Sequence, residues 1–147
     1  MRFPVQFNHA LKISAVLNRK AFGLDFAVKV RFLGNGYFSQ CFNGALETAI
    51  DAFRQDCRLG IITRSEKGSL SITREETHAI DAHPIENLVD TTGAGDLFAA
   101  GFLFGLTQGR GLDECARLGS LAASIVIQQI GPRPRGSLKA AMQEEGL

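Results

Sequence analysis

A chain of 147 residues is long enough for one ordinary domain that buries roughly two thirds of the surface its unfolded form exposes. Its 45% hydrophobic and 21% charged residues, with no apolar run near the roughly 18 residues of a membrane span, predict a soluble globular domain and no membrane partner. The formal charge of +1 gives no general reason to expect a nucleic acid partner.

Charge divides unevenly along the chain. Residues 1–44 carry Arg2, Lys12, Arg19, Lys20, Lys29 and Arg31 against Asp25 alone, while the rest is net acidic, so 1–44 stand as a basic segment with no assigned fold. Within them Phe32-Leu33-Gly34-Asn35-Gly36-Tyr37-Phe38 reads as a turn between two apolar runs. From Ala45 to Cys57, apolar residues at Ala45, Ala49, Ile50, Phe53 and Cys57 fall on one helical face, opposite Glu47, Asp51, Arg54 and Gln55. Leu59-Gly60-Ile61-Ile62-Thr63 reads as a buried strand, and Ser69 to Thr73 as its alternating hairpin partner after the turn Glu66-Lys67-Gly68. Thr77 to Ala82 adds a strand that ends before Pro84.

Leu88-Val89 reads as a strand end, followed by an apolar helix from Leu97 to Leu106 whose small residues Ala99, Ala100, Gly101 and Gly105 suit close packing on a sheet. A second long helix runs from Leu112 to Ile127 and stops at Gly131-Pro132-Arg133-Pro134. Ser137 caps a short terminal helix, Leu138 to Glu145. Cys41, Cys57 and Cys115 have neither Cys-x-x-Cys nor zinc spacing, and His9, His78 and His83 lack metal-ligand spacing, so reduced thiols in a cytoplasmic protein are expected. The N-terminus lacks the apolar core of a secretory signal.

Chemistry concentrates in Asp90-Thr91-Thr92-Gly93-Ala94-Gly95-Asp96. Gly93 and Gly95 permit backbone conformations closed to other residues, so successive N–H groups can converge at a helix start where the dipole favours an anion. Phosphate is the natural occupant, and Asp96 beside it is placed to take a proton from an attacking hydroxyl. The plainer alternative is a tight turn with Asp96 favouring a helix start. The loop lacks the Lys-Ser/Thr ending of a P-loop, and Phe98 stands where a dinucleotide fingerprint needs its third glycine.

The run from Asp90 through Phe102 resembles the signature of ribokinase-like (PfkB-type) sugar and nucleoside kinases. Ile61-Ile62-Thr63-Arg64-Ser65-Glu66-Lys67-Gly68 is similar to that family's earlier strand and turn facing ATP, and Gln128-Gln129-Ile130-Gly131 to its helix end near the nucleotide. The resemblance covers residues 45–147. It implies the C-terminal, nucleotide-binding half of a three-layer α/β/α sheet domain, most like bacterial adenosine kinase-like members. It further implies ATP-dependent transfer to a sugar or nucleoside hydroxyl, with Asp96 as base, Gly93, Ala94 and Gly95 as the anion hole, and Thr63, Ser65 and Gly68 along ATP. Magnesium would accompany ATP. In members that use a monovalent cation, the positions of Asp90 and Thr92 help hold it; the alternative is that Asp90 bonds the loop's own backbone.

Two departures bear on these expectations. The family's acceptor-binding half precedes the region seen here, which implies an incomplete chain prone to self-association, or a non-catalytic nucleotide-binding module, or a fragment that folds with a partner. The family's magnesium-organising Asn-x-x-Glu is not matched, because Leu46 stands three residues after Asn43 and Glu47 comes one position later.

Overall fold

The computed structural model describes Ser14–Leu17, Val28–Leu33 and residues 46–147. Gly34-Asn35-Gly36, Cys41, Asn43 and His9 lie outside the described residues. The described elements are β1 (Ser14–Leu17), β2 (Val28–Leu33), α1 (Leu46–Asp56), β3 (Leu59–Thr63), a 3₁₀ turn (Ser65–Lys67), β4 (Ser69–Ile72), β5 (Thr77–Ile80), α2 (Ala94–Thr107), α3 (Leu112–Ile127) and α4 (Leu138–Glu144). The strands form one sheet in the order β1-β2-β3-β4-β5. This is the α/β class expected, and β1 and β2 supply strands where the sequence offered no assignment.

Strand directions follow from connection lengths. β2 and β3 pair in parallel, with Val30 opposite Leu59 and Leu33 opposite Ile62, as a crossover through α1 requires. β1 pairs antiparallel to β2, with Ser14 opposite Arg31. Residues 64–68 and 73–76 are too few for a crossover, so β3-β4 and β4-β5 are hairpin connections. In the second, the Thr73 N–H donates to the Glu76 carbonyl at 2.9 Å.

Compactness divides the chain into two units: the described residues of Met1–Arg64 with Leu70–Thr77, and Ser65–Ser69 with His78–Leu147. In the first, α1 buries Ala49, Ile50 and Phe53 in a cluster with Cys57, Ile62, Leu70 and Ile72. Each large apolar side chain there contributes about 1.5–3 kcal/mol on burial. The Phe53 ring explains Gly60 in the middle of β3, since a Cβ there would lie 2.3 Å from Phe53 Cδ1. β4 differs from the alternation read in the sequence: all four of its residues are buried, Ser69 and Ser71 included.

In the second unit α2 packs along α3. Phe98 and Phe102 stack at 6.3 Å between centroids, and Phe102, Leu118 and Val126 are fully buried. Glycines on both helices serve this pair: a Cβ on Gly101 of α2 would meet the Leu118 carbonyl oxygen at 2.6 Å, and one on Gly119 of α3 would meet the Phe98 carbonyl oxygen at 2.7 Å. α3 spans the predicted residues, and Ser137 caps α4 as predicted, its Oγ accepting from the Ala140 N–H at 3.3 Å. Cys57 and Cys115 are free and buried. No helix among the described residues is long and apolar enough to cross a membrane.

Candidate functional site: the loop entering α2

Leu88 and Val89 are not in a strand; they are exposed, in irregular chain. What holds this segment is the end of α3. The N–H groups of Val89 and Asp90 donate to the Ile127 carbonyl at 2.8 and 3.2 Å, satisfying an acceptor that a helix end leaves open. The Glu86 N–H donates to Gln128 Oε1 at 3.0 Å. Chain entering the loop is therefore tied to chain leaving α3.

The helix begins three residues earlier than expected, at Ala94 instead of Leu97. Gly93 caps it with φ 82°, in the left-handed region that glycine alone enters freely. Gly95 needs no such freedom: it is helical, and a Cβ on it would meet nothing within 4 Å. The sequence argument for both glycines thus holds for Gly93 only. Gly93 also faces Pro132 so closely that a Cβ would lie 2.6 Å from Pro132 Cβ.

Of the loop's amides, Thr92 N–H donates to Asp90 Oδ1 at 2.9 Å and Ala94 N–H to the Thr91 carbonyl at 3.2 Å. Those of Gly93, Gly95 and Asp96 have no acceptor among the described residues. The Ala94 N–H is thus already used within the loop, and the amides without an acceptor are those of its neighbours. Three unpaired N–H groups at the positive end of a 14-residue helix are a cradle for an anion. The Asp96 carboxylate, in the first turn of that helix, is exposed and has no hydrogen-bond or ionic partner among the described residues.

Asp90 is engaged on both oxygens. Oδ1 accepts from the Thr92 N–H and from the Thr92 hydroxyl at 2.7 Å, and Oδ2 accepts from the Gly131 N–H at 2.9 Å. The Thr92 hydroxyl, then the Gly131 and Thr92 amides, hold its carboxyl below the usual carboxylate range. This is the backbone-bonding alternative for Asp90, extended to a second loop. Among the described residues no group of three His, Cys, Asp or Glu side chains stands together.

Thr63 ends β3 and is half-buried; Ser65 is exposed at φ 53° at the head of the 3₁₀ turn. Gly68, at φ 73°, is buried where a Cβ would lie 2.0 Å from the Ile80 carbonyl oxygen, so the turn itself requires glycine there. Ser65 and Gly68 fall in the second unit with the 90–96 loop, and Thr63 in the first. The sequence marked Gly131 by likeness to a helix end near the nucleotide and Gly131-Pro132 as a helix stop, but gave no sign of the contacts that the Gly131 amide and the Pro132 ring make with the 90–96 loop.

At the start of α2, unpaired amides thus stand beside an exposed carboxylate. Residues 38–138 match the profile of the pfkB family of carbohydrate kinases, and the chain belongs to that family. Among solved structures it is similar to a probable sugar kinase from Rhizobium etli, with TM-score 0.76 and 44% identity over 80% of this chain and 36% of the other. The adenosine kinase of Sinorhizobium meliloti is equally similar, with TM-score 0.75 and 44% identity over 79% of this chain and 36% of the other. A cytidine kinase from Thermococcus kodakarensis is 46% identical over 76 residues, which are 50% of this chain and 27% of that protein. The chain thus spans about a third or less of the length of the relatives it matches.

Proposed function

We propose that this chain carries the phosphate-binding and base-catalysis elements of an ATP-dependent sugar or nucleoside kinase, adenosine being the acceptor favoured by the Sinorhizobium relative. The observation that carries the reading is the set of unpaired N–H groups at Gly93, Gly95 and Asp96 beside the unpartnered Asp96 carboxylate. Similarity to nucleoside and sugar kinases in the same residues supports it.

In this reading the three amides hold oxygens of the transferring phosphoryl group, with fixed dipoles that need no rearrangement as charge develops. Asp96 takes the proton of the acceptor hydroxyl as its oxygen bonds to the γ-phosphorus; the bond from that phosphorus to the bridging oxygen breaks and ADP leaves. Thr63 and Ser65 line the nucleotide, on the turn that Gly68 shapes. Magnesium bound with the nucleotide phosphates would supply charge neutralisation there. No protein side chain is assigned to it. Asp90 and Thr92 bond each other and Gly131, which leaves their role toward a monovalent cation to the experiment below.

The test is product formation from ATP with adenosine, cytidine or ribose as acceptor, compared between the natural chain and Asp96→Asn. Phosphorylated acceptor that depends on Asp96 supports the reading. ATP binding without transfer to any acceptor would identify a nucleotide-binding module instead, and equal turnover in both proteins would remove Asp96 from its role.

A further inference from the structure

Two contacts join the 90–96 loop to the turn after α3. Asp90 Oδ2 accepts from the Gly131 N–H at 2.9 Å, and Gly93 lies so close to Pro132 that a Cβ would stand 2.6 Å from its Cβ. Gly131 itself is at φ 88°, a conformation that aims its amide without side-chain cost. On its other oxygen Asp90 holds Thr92, the residue immediately before the capping glycine. From these we infer that Asp90 is a positioning residue: its carboxylate clamps the Gly131-Pro132 turn behind Gly93 and so sets the direction of the Gly93, Gly95 and Asp96 amides.

The clamp is geometric. Only a carboxylate of this length accepts from Thr92 on one oxygen and from Gly131 on the other; an amide has a single acceptor oxygen and must give up one partner. The Gly131-Pro132 turn is braced from its far side as well. The Arg135 N–H donates to Gln129 Oε1 at 3.1 Å, and Gln129 Nε2 donates to the Arg133 carbonyl. The turn is therefore a formed support, and releasing Asp90 frees the loop from it while leaving the turn intact. Asp90 touches no reacting atom in this scheme.

The inference rests on phosphate binding at the α2 start, and the experiment separates the two. Affinity for ATP and for inorganic tripolyphosphate is measured by calorimetry on the natural chain, Asp90→Asn and Asp90→Glu, each in potassium and in choline buffer. A lost hydrogen bond to a charged group corresponds to about a tenfold change. Both variants are expected to bind about tenfold more weakly, by the same factor in both buffers, and Asp90→Glu does not rescue because its longer arm cannot reach both partners. Unchanged affinity overturns the clamp. So does a loss confined to potassium buffer, which would make Asp90 a cation ligand. If the natural chain binds neither probe, the phosphate reading fails first and takes the clamp with it. Amide hydrogen exchange on the natural chain tests the clamp without any variant: the Gly131 N–H should exchange slowly and slow further with tripolyphosphate. Rapid exchange there, as for an open turn, overturns it.

Discussion

Gly101 of α2 meets the Leu118 carbonyl of α3 so closely that an added Cβ would stand 2.6 Å from its oxygen. Because the obstacle is backbone, neither partner can yield by a rotamer change. Gly101→Ala should therefore destabilise the protein by about 1–3 kcal/mol of overpacking, outweighing the roughly 1 kcal/mol that alanine gains over glycine in a helix. Denaturant unfolding checks the sign. A stabilised variant would mean the helices are farther apart than described.

Gly95 predicts the reverse dissociation. Its Cβ position is open and its backbone is helical, so Gly95→Ala should leave stability unchanged or raise it by up to about 1 kcal/mol. In the proposed function the same methyl group would crowd phosphate oxygens approaching the unpaired amides, so ATP affinity should fall, and fall further in Gly95→Val. Ala94→Gly should be milder, since the Ala94 N–H already serves Thr91. Equal affinity in all three variants would mean the loop does not bind phosphate through its backbone.

Much of the fold and part of the site were legible in the sequence, for different reasons. The boundaries of α3 and the cap of α4 follow from local rules: a periodic apolar face, a Gly-Pro stop, and a serine whose hydroxyl reaches an amide three residues on. In the 90–96 loop the glycine at position 93 announced a left-handed helix cap, which the structure has at φ 82°. What failed was non-local. Leu88-Val89 has strand composition but is held by the Ile127 carbonyl, a partner no local pattern specifies. The glycines of α2 announce a close neighbour without saying which, and it proved to be α3. The Asp90–Gly131 bond spans 41 positions, and neither residue type predicts the other.

Burial pushes the Cys115 thiol up to about 11 from the 9.0 of an ordinary thiol. At pH 8 the folded protein should hold about a hundredfold less thiolate at this site than the unfolded chain, and react correspondingly slowly with iodoacetamide. The raised pKa also means that its contribution to stability is fully present below pH 9 and is lost as pH rises toward 11. Alkylation of native and denatured protein, mapped by mass spectrometry, checks the first; fast native labelling at Cys115 would contradict its burial.

Asp96→Asn should lower turnover at least about a hundredfold, the scale of general-base catalysis, while ATP affinity is kept or slightly improved. Asparagine preserves size but cannot take the proton, and it removes a negative charge from beside the phosphates. Turnover and calorimetric affinity on one preparation separate the two effects. A parallel loss of both would point to a binding role for the carboxylate.

The most direct test of the central claim, that the start of α2 binds nucleotide phosphate through its backbone, is an amide-resolved titration of the isotope-labelled chain with ATP and with tripolyphosphate. The account predicts that the Gly93, Gly95 and Asp96 amides shift together and saturably with both ligands, while Ala94, already bonded to Thr91, shifts less. Saturable binding that leaves those three amides unmoved would contradict it.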